Sequence, residues 1–456
     1  MGSQCGNSDL VVRVVSRRTV APPPRPRELI PLTTWDVSFL SADYIQKGLL
    51  YPPPPAGLVD RLEAALAKAL EHYYPVAGRF ATTEQVGDGG CSVCIDCDGQ
   101  GVDILHAVAE GVSVADAFPP DADVPRLVQS LFPLDGAVNH DGHHLPLFTV
   151  QVTELADGVF LGFAYNHALS DGTALWGFLN AWAGICRSGD KEEFEFQPPL
   201  LERWSPDGRL PLVLPFPSLD GLIERGLSPP PLRERMLHFS PESLAALKER
   251  ARQELLAAGD EAGAAAVTRF QALSSLVWRC VTRARRLPAE QTVVCRAAIN
   301  NRPRLRPQLP HHYFGNAIYA ISTEAVSAGE LLERGHGWAA AAVGRAVAGH
   351  TDAGIRARVA AWMDKPVLYT LRYFDPAGVM MGSSPRFDMY GCDFGWGKPL
   401  AARSGRANKS DGKASLYPAR DGGGGIDAEL VLLPDNMARL EQDQEFWAAV
   451  TPDKKP

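Results

Sequence analysis

The sequence predicts an α/β protein of more than one domain, and three observations carry that prediction. Runs with strand character and runs with helical periodicity are interleaved in both halves of the chain. A charged, proline-rich stretch from about residue 188 to 231 separates the halves and shows neither period. The composition, 45% hydrophobic and 21% charged over 456 residues, is that of a chain able to bury two or three cores.

In chain order, the runs "PPPRP" and "PPPP" mark loops, because proline breaks helices and lacks an amide donor. In "LVDRLEAALAKALEHYYP", Leu58, Leu62, Ala65, Leu66, Ala69 and Tyr73 recur at steps of three and four. That spacing predicts an amphipathic helix, stopped by Pro75. "CSVCIDC", "LPLFTVQVTEL" and "GVFLGFAYN" predict strands, and Asp157-Gly158 joins the last two as a hairpin. "TALWGFLNAWAGIC" returns to helical spacing through Leu175, Phe178, Leu179 and Trp182. After the crossover, "PESLAALKERARQELLA", "RFQALSSLVWRCVTRARR" and the Ala-rich "GELLERGHGWAAAAVGRAVAGH" predict helices, while "TVVCRAAIN" and "NAIYAIS" predict strands. "AAGDEAGAAA" and "GGGG" are expected as flexible surface loops. The expected division is a first domain over 1–187, a linker over 188–231 and a second domain over 232–456, with a segment near 370–395 packing on the first.

The formal charge of −8 and the lack of a long Lys/Arg run argue against a nucleic-acid partner. No apolar run approaches the ~18 residues that span a bilayer, so no membrane partner is expected. The start of the chain lacks the apolar core of a secretory signal, and Gly2 is followed at the sixth position by Gly6 rather than Ser or Thr. The one cysteine cluster, Cys91, Cys94 and Cys97, has no second pair at ligand spacing, so no metal site is expected. Reduced thiols in a cytoplasmic protein fit better.

The chemistry points to "AYNHALSDGTALWGF", residues 164–178, where a strand gives way to a helix. A side chain there is held on rigid scaffolding. The partial positive charge of the helix start disfavours imidazolium, so His167 is expected neutral and able to accept a proton. Asp171 has two open roles: orienting the imidazole, or capping and anchoring the helix.

Further stretches keep His167 company. "LTTWDVSFLSADY" and "YYPVAGRF" precede it; "YFGN" at 313–316 and "DFGWG" at 393–397 follow. In this order, from about Val11 to about Leu433, the chain resembles the plant BAHD family of acyl-CoA-dependent acyltransferases, and the His167…Asp171 and Asp393–Gly397 motifs are specific together. "SSPRFDMYGCDFGWGKP" and "RSGRANKSDGKASLYP" look most like an acetyltransferase-like subgroup with members in cuticle or defence metabolism.

The resemblance implies two chloramphenicol acetyltransferase-like domains, each a mixed sheet with flanking helices, and a channel between them. It implies acyl-CoA as co-substrate with no tightly bound cofactor, a small-molecule alcohol or amine as acceptor, and a monomer. By resemblance His167 is the general base, and Asp171 turns away to pair with Arg302 of "INNRPRL". Asp393, Gly395 and Gly397 shape the second domain at a distance from the base, and Trp396 packs. Thr268 matches a position near coenzyme A. Shikimate-using relatives carry Thr-Ser-Trp where this chain reads Gly382-Ser383-Ser384, so that acceptor class is in doubt and Ser384 is a candidate hydroxyl donor. Two other readings stand beside transfer: a lyase acting on an acylated amino-acid conjugate, and a non-catalytic ligand-binding relative. A peptide-synthesis condensation domain would carry a second histidine where Asn166 stands.

Overall fold

The computed structural model describes residues 12–84, 89–189, 194–225, 230–369, 375–382 and 384–452. Gly2 and Ser383 lie outside the described residues. The first half of the chain forms β1 (Val12–Val20), β2 (Leu29–Pro31), β3 (Ile45–Tyr51), β4 (Arg79–Glu84), β5 (Cys91–Asp96), β6 (Val102–Ala109), β7 (Phe148–Leu155) and β8 (Gly158–Tyr165). The second half forms β9 (Arg233–Phe239), β10 (Thr292–Val293), β11 (Cys295–Asn300), β12 (Ile318–Ser322) and β13 (Val326–Ser327). It continues with β14 (Val379–Gly382), β15 (Ala401–Ser404), β16 (Lys413–Pro418) and β17 (Ile426–Leu432).

Two six-stranded mixed sheets result, in the orders β1-β6-β7-β8-β3-β15 and β12-β11-β14-β16-β17-β9. β7 and β8 are buried on both faces, which is why "FTVQVTEL" and "GVFLGFAY" read as nearly continuous apolar runs. One face is covered by the helices Leu58–His72 and Gly172–Ser188, which are pinned together where Trp182 Nε1 donates to the Leu62 carbonyl at 3.0 Å. On the second sheet the helix Arg269–Arg285 is buried along almost its whole length.

β15 belongs to the second half of the sequence but pairs antiparallel with β3, from Ala401 opposite Leu50 to Ser404 opposite Lys47. The late chain thus supplies the edge of the first sheet.

The helices differ from expectation in two places. "AAGDEAGAAA" is not a loop throughout: Glu261–Ala266 is helical, Asp260 accepts the Gly263 amide, and Ala264 packs among Ala251, Leu255 and Ala340. An Asp cap and a run of alanines outweigh one glycine. The Ala-rich helix is broken in two, Ala328–Glu333 and His336–Ala348, with Gly335 between them at φ +90. Downstream of Leu58–His72 the chain continues as a 3-10 turn, Tyr74–Ala77, that contains Pro75.

Candidate active site

His167 sits in the turn that leads from β8 into the helix Gly172–Ser188. Three residues hold it. Its amide donates to Asn139 Oδ1 at 2.7 Å, its carbonyl accepts from Asn316 Nδ2 at 2.7 Å, and its ring stacks on Phe39 with centroids 4.1 Å apart and planes 8° from parallel. Asn166, where a condensation domain would place a second histidine, is fully buried and serves the backbone: Nδ2 donates to the Asn139 carbonyl and Oδ1 accepts the Ala168 amide.

The ring is half-buried. Nδ1 is sealed from solvent and has no hydrogen-bond partner, and Asn316 Oδ1 is another buried atom without one. Burial is the main cause that holds His167 below the ordinary histidine range; Lys413 adds a smaller push in the same direction. The ring's own main-chain carbonyl, Asp171 and Asn316 pull the other way. The expected neutrality of His167 therefore rests first on desolvation.

Asp171 does not orient the imidazole. Arg302 Nη1 donates to its Oδ2 at 2.7 Å and Nη2 to its Oδ1 at 3.0 Å. The amides of Thr173 and Ala174 donate to Oδ1, and that of Ala317 to Oδ2. Five donors saturate a carboxylate that has no exposed surface. Arg302 in turn donates to the carbonyls of Tyr313 and Gly315, so it staples the second half of the chain to the His167 turn.

The DFGWG stretch is not part of the second sheet's frame, which corrects the expectation from resemblance. It packs on the first. Tyr51 of β3 donates to the Cys392 carbonyl at 2.7 Å, Arg187 to the Asp393 carbonyl at 3.2 Å, and Phe394 meets Trp182 edge-on. Asp393 Oδ1 accepts the amides of Gly395 and Gly397, whose φ values of +105 and +125 favour glycine. Trp396 stacks on Phe394, beside Tyr51. Upstream, Asn180 donates to the Asp388 carbonyl at 2.8 Å and Phe387 lies against Gly172.

Ser384 forms a turn in which its Oγ accepts the Arg386 amide at 3.2 Å and its carbonyl the Phe387 amide. Thr268 caps the helix Arg269–Arg285, its hydroxyl accepting the Gln271 amide at 3.3 Å. Neither makes a described contact with His167. A cavity of about 390 Å³ opens along the flank of the helix Gly172–Ser188, lined by Tyr73, Asn180, Phe196, His312 and Phe314, but His167 is not in its wall.

Sequence reasoning missed the residues that fix His167 from a distance. Asp36 is fully buried, accepts both the amide and the Nδ2 of Asn316, and ties Thr33 in a capping box. Arg203 lies 3.7 Å from Asp36. Asp36 and Phe39 stand in "LTTWDVSFLSADY" and Asn316 in "YFGN", so the stretches were noticed while the roles of these side chains were not.

Two mixed sheets, a strand passed from the second half to the first, and a half-buried imidazole at a strand-to-helix turn define a two-domain α/β acyltransferase of the chloramphenicol acetyltransferase-like type. The chain belongs to the Transferase family, the BAHD acyltransferases, whose match extends over residues 10–447. It is 36% identical over 428 residues to an uncharacterised acetyltransferase of Arabidopsis thaliana, covering 92% of this chain and 94% of that one. It is 33% identical over 457 residues to the BAHD acyltransferase DCR of the same plant, covering 95% and 92%. Among solved structures, TRI101 of F. sporotrichioides, complexed with coenzyme A and T-2, shares the fold with a TM-score of 0.72 at 19% identity, covering 93% of this chain and 99% of that one. The protein is an acyl-CoA-dependent acyltransferase.

Proposed function

We propose that His167 is the general base for transfer of an acyl group from coenzyme A to a hydroxyl or amine of a small-molecule acceptor. Its Nε2 edge faces the acceptor. The observation that carries this reading is the combination of a sealed Nδ1 and an imidazole kept neutral by burial. With the proton on Nδ1, Nε2 offers a lone pair at neutral pH. It takes the acceptor's proton as the heteroatom forms a bond to the thioester carbonyl carbon. The tetrahedral intermediate collapses, the C–S bond breaks, and the imidazolium returns the proton to the departing thiolate. Ser384 donates to the oxyanion, and Thr268 lies near the bound coenzyme A.

Asp171 and Arg302 act on this chemistry only through position. The same reading takes the protein to be a cytoplasmic monomer of plant specialised metabolism, with the sequence divided near residues 187 and 232. The test is thiol release by the purified protein and its His167→Ala variant against pooled acyl-CoA donors and alcohol and amine acceptors. Equal rates in the two proteins would overturn the role of His167.

A further inference from the structure

The cavity on the flank of the helix Gly172–Ser188 takes no part in the acyl-transfer steps, since His167 is not in its wall. At about 390 Å³ it has the capacity of a small-molecule site. Its inner wall is aromatic. Tyr73 meets Phe314 edge-on with ring centroids 5.4 Å apart, and lies within 17° of parallel to Phe196 at 6.1 Å. Ala174 and Ala181 extend the apolar wall along the helix.

Tyr73 lacks what a buried tyrosine normally has. It is 5% exposed, and burial alone pushes its hydroxyl up to about 12, so the group stays a neutral donor and acceptor. Buried tyrosine hydroxyls usually find a partner. Tyr51 has the Cys392 carbonyl, Tyr165 has Ser170 and Tyr417 has Glu429. Among the described residues nothing hydrogen-bonds to the Tyr73 hydroxyl, and its oxygen is not one of the sealed polar atoms, so it opens into the cavity. The charged groups of the wall balance. Arg187, which also donates to the Asp393 carbonyl, and Asp388 both line the cavity and both are exposed. An anion there meets Asp388 and a cation meets Arg187, so a neutral occupant is favoured. The cavity also touches both sides of the ion pair behind the catalytic turn. Thr173 and Ala174, whose amides grip Asp171, are in its wall. So is Phe314, which stands between the two residues whose carbonyls hold Arg302.

We propose that this cavity is a second small-molecule site, separate from the acyl-transfer centre, that takes a neutral phenol. The ring packs on Phe196 and Phe314, and the hydroxyl pairs with that of Tyr73. The occupant spans the helix and the 311–314 loop, and so braces the Asp171–Arg302 pair from behind. The inference stands apart from the role of His167, which the occupant does not touch.

The experiment is calorimetric titration of the whole protein, in saturating coenzyme A, with 4-ethylphenol, 4-ethylanisole and 4-ethylbenzoate. We expect the phenol to bind one to one, and the ether and the carboxylate to bind weaker by about tenfold or more, the scale of one lost hydrogen bond. In Tyr73→Phe the preference for phenol over ether falls towards one. Gly177→Leu closes the site. Gly177 is in the wall, a Cβ added there meets nothing within 4 Å, and leucine suits a helix better than glycine, so this variant should fold and lose the phenol. His167→Ala should bind the phenol as wild type does. Bound phenol should also raise the Tm of the wild-type protein and leave that of Gly177→Leu unmoved. No binding by wild type, equal binding of phenol and benzoate, or binding that survives Gly177→Leu overturns the proposal. Loss of binding in His167→Ala would place the phenol in the acyl-transfer centre and overturn it as well. A Tyr73→Phe protein that does not fold leaves Gly177→Leu and the wild-type comparisons to decide.

Discussion

Arg302 grips Asp171 through both terminal nitrogens, at 2.7 and 3.0 Å, with neither side chain more than 2% exposed. The two residues are 131 positions apart. Because Asp171 also caps the helix that follows His167, one ion pair sets the height of the turn and the placement of the second half against it.

Removing one partner strands the other charge in the interior, a loss of about 3–5 kcal/mol in comparable buried pairs. Asp171→Ala should therefore lower both Tm and activity. Arg302→Ala should do the same, and the double variant should be less damaged than the sum of the singles. Thermal unfolding of the three proteins beside wild type checks this. Wild-type melting of Asp171→Ala would overturn the anchoring role of the pair.

His167→Ala should lower kcat/KM by roughly 10²–10⁴, the usual share of a general base. It should cost little stability beyond the lost stacking on Phe39, because the turn is held by main-chain bonds to Asn139 and Asn316 that the substitution keeps. Steady-state kinetics and a melting curve on the same preparation separate the two effects.

The pH profile follows from the depressed basicity of His167. The competent form is neutral, so kcat/KM should be near its plateau at pH 7 and fall on acidification through an apparent pKa below ~6.5. The unfolded chain binds the proton at higher pH than the folded one. The stability tied to this group is therefore present above ~6.5 and is lost as pH falls from there towards the folded value. A rate that climbs from pH 7 to pH 5 in folded protein would contradict the assignment.

Asn316→Ala removes the donor to the His167 carbonyl, the partner of Asp36, and an amide that raises the basicity of the ring. We expect kcat to fall more than KM changes, and the acid limb of the pH profile to move to lower pH. A variant that loses stability while its remaining activity keeps the wild-type profile would reduce Asn316 to a structural prop.

Ser384→Ala tests the donor to the oxyanion. Its Oγ already accepts the Arg386 amide, which leaves the hydroxyl proton free to point elsewhere. Loss of such a donor costs kcat rather than KM, on the order of 10²-fold where it is a principal one. An unchanged kcat would leave Ser384 as a turn residue only.

What could be read from the sequence was what is local. The helix Leu58–His72, the β7–β8 hairpin and the helix after Asp171 follow from apolar spacing, a two-residue turn and a capping aspartate, all settled within a few residues. The Asp171–Arg302 pair came through family likeness, since no periodicity links residues so far apart. The supports of His167 were hidden for the same reason: Phe39, Asn139 and Asn316 reach it from three separate parts of the chain. "AAGDEAGAAA" misled because glycine and charge suggest a loop, whereas Ala264 finds an apolar pocket between two helices and makes the turn worth forming.

The strand exchange gives the protein a timetable. On the ribosome, β3 pairs with β8 once residue 165 has emerged, but its other edge stays bare until β15 is made. At ordinary rates of synthesis that interval is roughly ten to fifty seconds. During it the nascent chain presents a row of unpaired amides and carbonyls along "IQKGLLY", a template for pairing with a neighbouring copy. Lys47 in the middle of that strand is a charge of the kind that discourages such pairing until Ala401–Ser404 arrives to cover the edge. A fragment that stops at the crossover would keep the edge bare for good, so the first half of this chain is a poor candidate for expression alone.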